Sequence, residues 1–87
     1  MKEPLHVKLK NLGTINKNKV TIERGNKSVD IYFSYETPVA VDEVVSENIW
    51  SRTTGKFLNE LQPNKKQRVP YEIVKMELQR RLKEVVD

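Results

Sequence analysis

The chain has 87 residues, of which 37% are hydrophobic and 32% are charged, so its length allows one folded domain over residues 1–87 and excludes a second hydrophobic core. It contains no cysteine, which excludes disulfide bonds, thiolate metal sites and cysteine nucleophiles. The 16 Lys and Arg residues exceed the 12 Asp and Glu residues, and the resulting net charge of +4 favours a polyanionic partner such as nucleic acid.

Hydropathy gives an expectation about location. The first ten residues contain no apolar segment of signal-peptide length. No apolar run in the chain approaches the ~20 residues that a membrane span needs. We therefore expect a cytoplasmic protein that does not bind a membrane.

The first half of the chain alternates apolar and polar residues with period two, which predicts strands. Leu5, Val7 and Leu9 indicate a first strand. Residues 19–35 indicate a hairpin, because a Gly-Asn turn separates two alternating runs. Residues 39–45 fit one or two further strands, although residues 40–45 also fit a helical turn. We predict three to five antiparallel strands within residues 4–48.

The period changes to 3.6 after Thr53, which predicts helices. A short helix is expected near residues 53–62, ended by Pro63. Pro70 suits the first turn of a longer helix near residues 70–86. The order of elements predicts an α+β domain in which an antiparallel sheet is followed by two helices packed on one face.

Several sequence blocks are similar to a known family. These blocks are Tyr35, Thr37-Pro38-Val39-Ala40, Asn48, Trp50-Ser51-Arg52-Thr53-Thr54-Gly55-Lys56, Leu58-Asn59 and Arg68-Val69-Pro70. In them the chain resembles an uncharacterised family of small domains from phages, plasmids and prokaryotic genomes. The resemblance implies a mobile-element origin and no particular activity. Phe57 stands where the pattern often has histidine, which argues against proton or metal chemistry at that position.

Two basic groups form the candidate binding surface. One group lies at the start of the first helix, where unpaired backbone N–H groups can meet an anion. The other lies in the loop between the helices. We predict that nucleic acid or another anion is bound by Arg52, Thr53, Thr54, Gly55, Lys56, Lys65, Lys66 and Arg68. The two groups are expected at opposite ends of a helix about 15 Å long, so they form one footprint only for a partner that lies along it.

Other interpretations of the same residues remain open. The helix start is not a Walker A loop, because Phe57 occupies the position of the required hydroxyl. Ser51 or Thr53 can simply cap the helix while the cations are solvated. Trp50 can stack on a base, but we expect it to pack against Phe57 and the sheet. Tyr32 is a second aromatic candidate if its side of the sheet is uncovered.

A further basic cluster is predicted in the first two strands, at Lys8, Lys10, Lys17 and Lys19. No catalytic constellation is recognisable, and His6 has no second histidine or cysteine with which to share a metal. We therefore expect no enzyme activity, no metal and no cofactor. The leading interpretation is a small binding module that contacts nucleic acid non-specifically. The alternative is a protein–protein adaptor or inhibitor, homodimeric through the last helix or an open sheet edge.

Overall fold

The computed structural model describes residues 3–87. The elements are β1 (His6–Asn11), β2 (Lys17–Arg24), β3 (Lys27–Ser34), β4 (Thr37–Val41), β5 (Val44–Val45), α1 (Arg52–Leu61) and α2 (Tyr71–Val86), with a single 3-10 turn at Lys65–Gln67. The five strands form one antiparallel sheet in chain order. The α+β prediction is confirmed, and the helical alternative for residues 40–45 is wrong. Within residues 3–87, neither helix combines the length and hydrophobicity that a membrane crossing requires.

Two-residue turns connect the last four strands, and each turn begins with a residue at positive φ. These residues are Gly25 (φ 60°), Tyr35 (φ 57°) and Asp42 (φ 49°). Positive φ at this position lets a tight turn follow the twist of the strands. Asp42 is held there because its carboxylate accepts a hydrogen bond of 2.9 Å from the backbone N–H of Asp30.

Helix α2 covers one face of the sheet, which we call the α2 face. Its buried residues Val74 and Val85 pack in one cluster with Val29, Ile31 and Val41. The cluster joins the neighbouring strands β3 and β4 to α2, which is distant from them in the chain. The α2 face therefore contains the larger part of the hydrophobic core.

Helix α1 covers the opposite face, which we call the α1 face. Phe57 and Leu58 of α1 pack in a second cluster with Ala40 and Val45. Ala40 and Val41 are successive strand residues, so their side chains point to opposite sides of the sheet. The expectation that both helices pack on one face is wrong. The physical reason is that β4 and β5 carry apolar side chains on both faces, and each face needs its own cover.

The two edges of the sheet differ. At β5, the segment that leads into α2 runs alongside the strand. The N–H of Val69 donates to the Val45 oxygen (2.9 Å), and the N–H of Glu47 donates to the Val69 oxygen (2.8 Å). At β1, no strand of the described chain pairs with the outer side, and all six residues of the strand are exposed. The sheet is covered at one edge and open at the other.

Arg81 fastens α2 to the turn between β4 and β5. Its guanidinium donates to Asp42 Oδ2 (2.9 Å), Glu43 Oε1 (2.9 Å) and Glu77 Oε2 (3.2 Å). The hydrogen bond from Arg81 lowers the pKa of the Glu43 carboxyl below its ordinary value. In return, hydrogen bonds to Glu43 and Asp42 raise the pKa of Arg81. The network is structural, since it joins a helix to the sheet.

Candidate functional site

The start of α1 is capped by Ser51. The Ser51 Oγ accepts the Thr54 N–H at 3.3 Å, and its carbonyl accepts the Gly55 N–H at 2.9 Å. Of the two capping alternatives, Ser51 rather than Thr53 is the N-cap. The first turn contains no acidic residue, so no carboxylate neutralises the positive end of the helix dipole there.

Thr54 belongs to the interior and not to the predicted binding surface. It is buried, and its hydroxyl hydrogen-bonds to the Ser34 hydroxyl at 2.9 Å. Thr54 lies three and four residues before Phe57 and Leu58, so it shares the buried stripe of α1. Thr54 fastens α1 to β3, and the prediction that it belongs to the binding surface is wrong.

The Arg68 side chain also forms its hydrogen bonds within the protein. Its side chain is buried, its Nε donates to the Gln62 carbonyl oxygen at 3.0 Å, and its Nη2 donates to Asn59 Oδ1. These bonds hold the loop between the helices against the end of α1. The expectation that Arg68 is an exposed loop residue is therefore wrong, although its charge remains close to the other basic residues.

Three of the remaining predicted residues, Arg52, Gly55 and Lys65, line an open cleft of about 480 Å³. The cleft is lined by Glu47, Asn48, Arg52, Gly55, Asn59, Lys65 and Arg68. Arg52, Gly55 and Asn59 follow helical spacing, so the cleft runs along one side of α1. Lys65 lines the same cleft from the loop, because the hydrogen bond from Arg68 to Gln62 holds that loop against the end of the helix. The fold thus joins two basic groups that the sequence places at opposite ends of a helix.

Asn48 forms one wall of the cleft, a role that was not predicted from the sequence. Its Oδ1 accepts the Trp50 N–H at 3.0 Å, and its Nδ2 donates to the Ser51 carbonyl oxygen at 3.3 Å. A Cβ atom at Gly55 would lie 2.7 Å from Asn48 Nδ2. Glycine therefore permits the close packing of this wall against α1. The available signal was an asparagine two residues before Trp50, where its side chain can bond to the following backbone.

Four exposed cations belong to the cleft or adjoin its lining residues in the chain: Arg52, Lys56, Lys65 and Lys66. None of them forms a salt bridge with an acidic side chain among residues 3–87. Thr53 is exposed beside them. An exposed cation without an acidic partner can contact a phosphate without breaking an ion pair, and the contact releases a counterion from the nucleic acid.

The aromatic candidates lie elsewhere. Trp50 is half-buried against the cluster of Phe57, and its ring meets the edge of Tyr71 with centroids 4.9 Å apart at 83°. The packing of Trp50 against the cluster of Phe57 and the sheet agrees with the prediction, whereas its contact with Tyr71 of α2 was not predicted. Tyr32 is also half-buried, with the Lys19 ammonium 6.0 Å from its ring centroid.

The basic cluster of the first two strands is divided by ion pairs. Lys8 pairs with Glu23 at 3.2 Å, and Lys17 pairs with Glu60 at 3.0 Å. Lys10 has no acidic partner in the described part of the chain, and the same is true of Lys19. Among residues 3–87, no group of three or more His, Cys, Asp or Glu side chains is arranged to hold a metal ion.

Residues 5–76 match the model of a family of unknown function, DUF8033. This range contains all five strands, α1 and the first part of α2, together with every residue of the cleft. No curated protein and no solved structure matches the chain.

Proposed function

The chain belongs to the DUF8033 family, whose function is unknown, and we propose that it is a small binding module for the phosphodiester backbone of nucleic acid. The observation that carries the proposal is the cleft along α1. Arg52 and Lys65 line it from two different segments, and neither forms a salt bridge within residues 3–87. A cation surface assembled from separate segments fits a ligand that carries several negative charges.

The spread of charge supports a polymer over a single small anion. Lys56 continues the basic row along α1, and Lys66 continues it along the loop. A row of this kind extends over about 15 Å, the length of a ten-residue helix. One phosphate cannot contact both ends, whereas a nucleic-acid strand presents phosphates repeatedly. Contacts to phosphates carry no sequence information, so the proposed binding is independent of sequence.

The same proposal includes a binding role in place of catalysis, a cytoplasmic location and an origin in a mobile element. The first two are supported by the composition and hydropathy of the chain. The third is supported by the resemblance to phage and plasmid domains in the Trp50–Lys56 block.

A salt series of fluorescence anisotropy measurements with labelled single- and double-stranded oligonucleotides tests the proposal. We expect log K to fall against log[salt] with a slope of about −2 to −4, from a few phosphate contacts. Reversing the charges of Lys65 and Lys66 to Glu should weaken binding and reduce the slope by about 1 to 2. The matched control reverses Lys27 and Lys83, which are exposed cations that do not line the cleft.

The outcomes separate local contacts from net charge. Equal effects of the two double variants would show that only overall charge matters and would remove the cleft from the proposal. Absence of binding at low ionic strength, or binding indifferent to salt, would remove nucleic acid as the ligand. The second candidate function, a protein adaptor, is favoured by the open edge of β1.

A further inference from the structure

We propose that the open edge of β1 binds an extended segment of a partner protein in which apolar and acidic side chains alternate. The segment adds a sixth strand to the five-stranded sheet. This surface is separate from the cleft along α1. Three features of β1 define the partner: its backbone, its apolar side and its charged side.

The backbone of β1 offers unpaired hydrogen-bonding groups. The Leu12 N–H donates to the Lys17 carbonyl oxygen at 2.8 Å, in register with the antiparallel pairing of β1 and β2. In such a pair, alternate residues direct their N–H and C=O groups toward the partner strand. Lys10 and Lys8 therefore bond to β2, whereas Leu9 and Val7 direct their backbone groups away from it. These outward groups are a template for another strand.

The apolar side of β1 lies on the α2 face but outside the cover of α2. Val7 pairs with Ile22 and Leu9 pairs with Val20, so all four side chains point to this face. Helix α2 packs over β2 to β5. Val7 remains 63% exposed and Leu9 remains 71% exposed. Apolar residues of an added strand would cover both.

The charged side of β1 lies on the α1 face and carries an unrelieved repulsion. Lys10 stands directly opposite Lys19, and neither lysine has an acidic partner among residues 3–87. Like charges directly opposite each other destabilise a strand pair. A carboxylate on an added strand, placed beside Lys10, would relieve this repulsion. Lys8, on the same side of β1 as Lys10, adds a second positive charge, which forms an ion pair with Glu23.

A second copy of the chain does not fit this edge. Residues directly opposite in an antiparallel pair point to the same face. The two symmetric registers that keep five residues of β1 opposed therefore align Lys8 with Lys8 or with Lys10 of the copy. Both registers place cations opposite cations, in addition to the Lys10 and Lys19 pair. An acidic strand avoids this repulsion, and charge thus selects a different partner.

The test uses a capped peptide of about seven residues that alternates Glu and Val, a typical strand length. Binding is measured by NMR titration, with a Lys and Val peptide as the charge control. We expect the Glu peptide to bind roughly tenfold more tightly than the Lys peptide. Lys10→Glu should reverse this preference. Lys10→Glu should not destabilise the fold, because it places a carboxylate opposite the Lys19 ammonium. Lys27→Glu makes the same charge change at the β2–β3 hairpin and should leave the preference intact.

Amide hydrogen exchange supplies the second readout. The Glu peptide should slow exchange at Val7, Leu9 and Asn11, whose N–H groups point outward, and should change exchange at Lys8 and Lys10 little. Unchanged exchange at the outward amides overturns strand addition. Equal binding of both peptides, or concentration-dependent dimerisation through β1, overturns the charge argument. If oligonucleotide binding is lost in Lys10→Glu and the Glu peptide does not bind, this face contacts nucleic acid and the proposal is wrong.

Discussion

Replacing Arg81 by alanine is expected to destabilise the fold substantially, although Arg81 lies on a helix rich in surface charges. Its guanidinium reaches three carboxylates, two of which belong to the β4–β5 turn. In the variant the half-buried Asp42 carboxylate keeps, among residues 3–87, only the hydrogen bond from the Asp30 N–H. The contact between α2 and the sheet edge is weakened at the same time.

The magnitude follows from exposure. The Arg81 side chain is 20% exposed and that of Asp42 is 27% exposed, so this pair lies between surface and buried salt bridges. Surface pairs contribute about 0–1 kcal/mol, and removing one partner of a buried pair costs about 3–5 kcal/mol. Glu43 is 76% exposed and solvent screens its pair with Arg81. We expect a loss of about 1–2 kcal/mol, which lowers the Tm by roughly 5–15 °C in a domain of this size.

Arg80 provides the matched control, because its two ion pairs within the described part of the chain are both with residues of its own helix. It pairs with Glu77 and Glu84 and is 56% exposed. Thermal and urea unfolding followed by circular dichroism should show a clear loss for Arg81→Ala and little change for Arg80→Ala. Equal stability of the two variants would refute the reasoning that Arg81 fastens α2 to the sheet.

Further expectations concern pH, capping and the tryptophan. Hydrogen bonding to Arg81 lowers the pKa of Glu43 in the folded protein, so this pair stabilises the fold above the ordinary pKa of 4.5 and loses its effect as the pH falls below that value. The Tm difference between wild type and Arg81→Ala should therefore narrow in acid. A difference that stays constant with pH would contradict the assignment. Ser51→Ala removes the N-cap of α1 and should cost about 1 kcal/mol in urea unfolding, while Ser51→Thr should cost less. Trp50→Ala removes a half-buried ring and should cost about 2–3 kcal/mol; a variant of full stability would contradict its structural role.

Most of the fold follows from the sequence by simple periodicity. Alternation predicted the strands, and the change of period after Thr53 predicted both helices. The arrangement of the helices was not predictable in this way. Ala40 and Val41 are both apolar, and such a pair gives no indication of which face a helix will cover. The face that each helix covers depends on the course of the chain after β5, since the segment at Val69 runs back along the edge of the sheet before α2 begins.

The candidate site was predictable in composition but not in geometry. The basic residues and the helix start were evident, yet Thr54 resembles the exposed Thr53 beside it and differs only in its position on the buried stripe of α1. Arg68 is a cation in a loop, which predicts an exposed residue. Its burial depends on hydrogen bonds to Asn59 of α1 and to Gln62, directly after that helix. The meeting of Arg52 and Lys65 at one cleft depends on that same fold of the loop.

The most direct test of the central claim is an amide NMR titration of the protein with a short oligonucleotide at low ionic strength. Binding along the cleft predicts the largest shift changes in residues 47–59 and 64–68, and their loss in the Lys65→Glu and Lys66→Glu double variant. Shift changes confined to β1, β2 or α2, or changes that persist unaltered in that variant, would contradict the assignment of the cleft as the nucleic-acid surface.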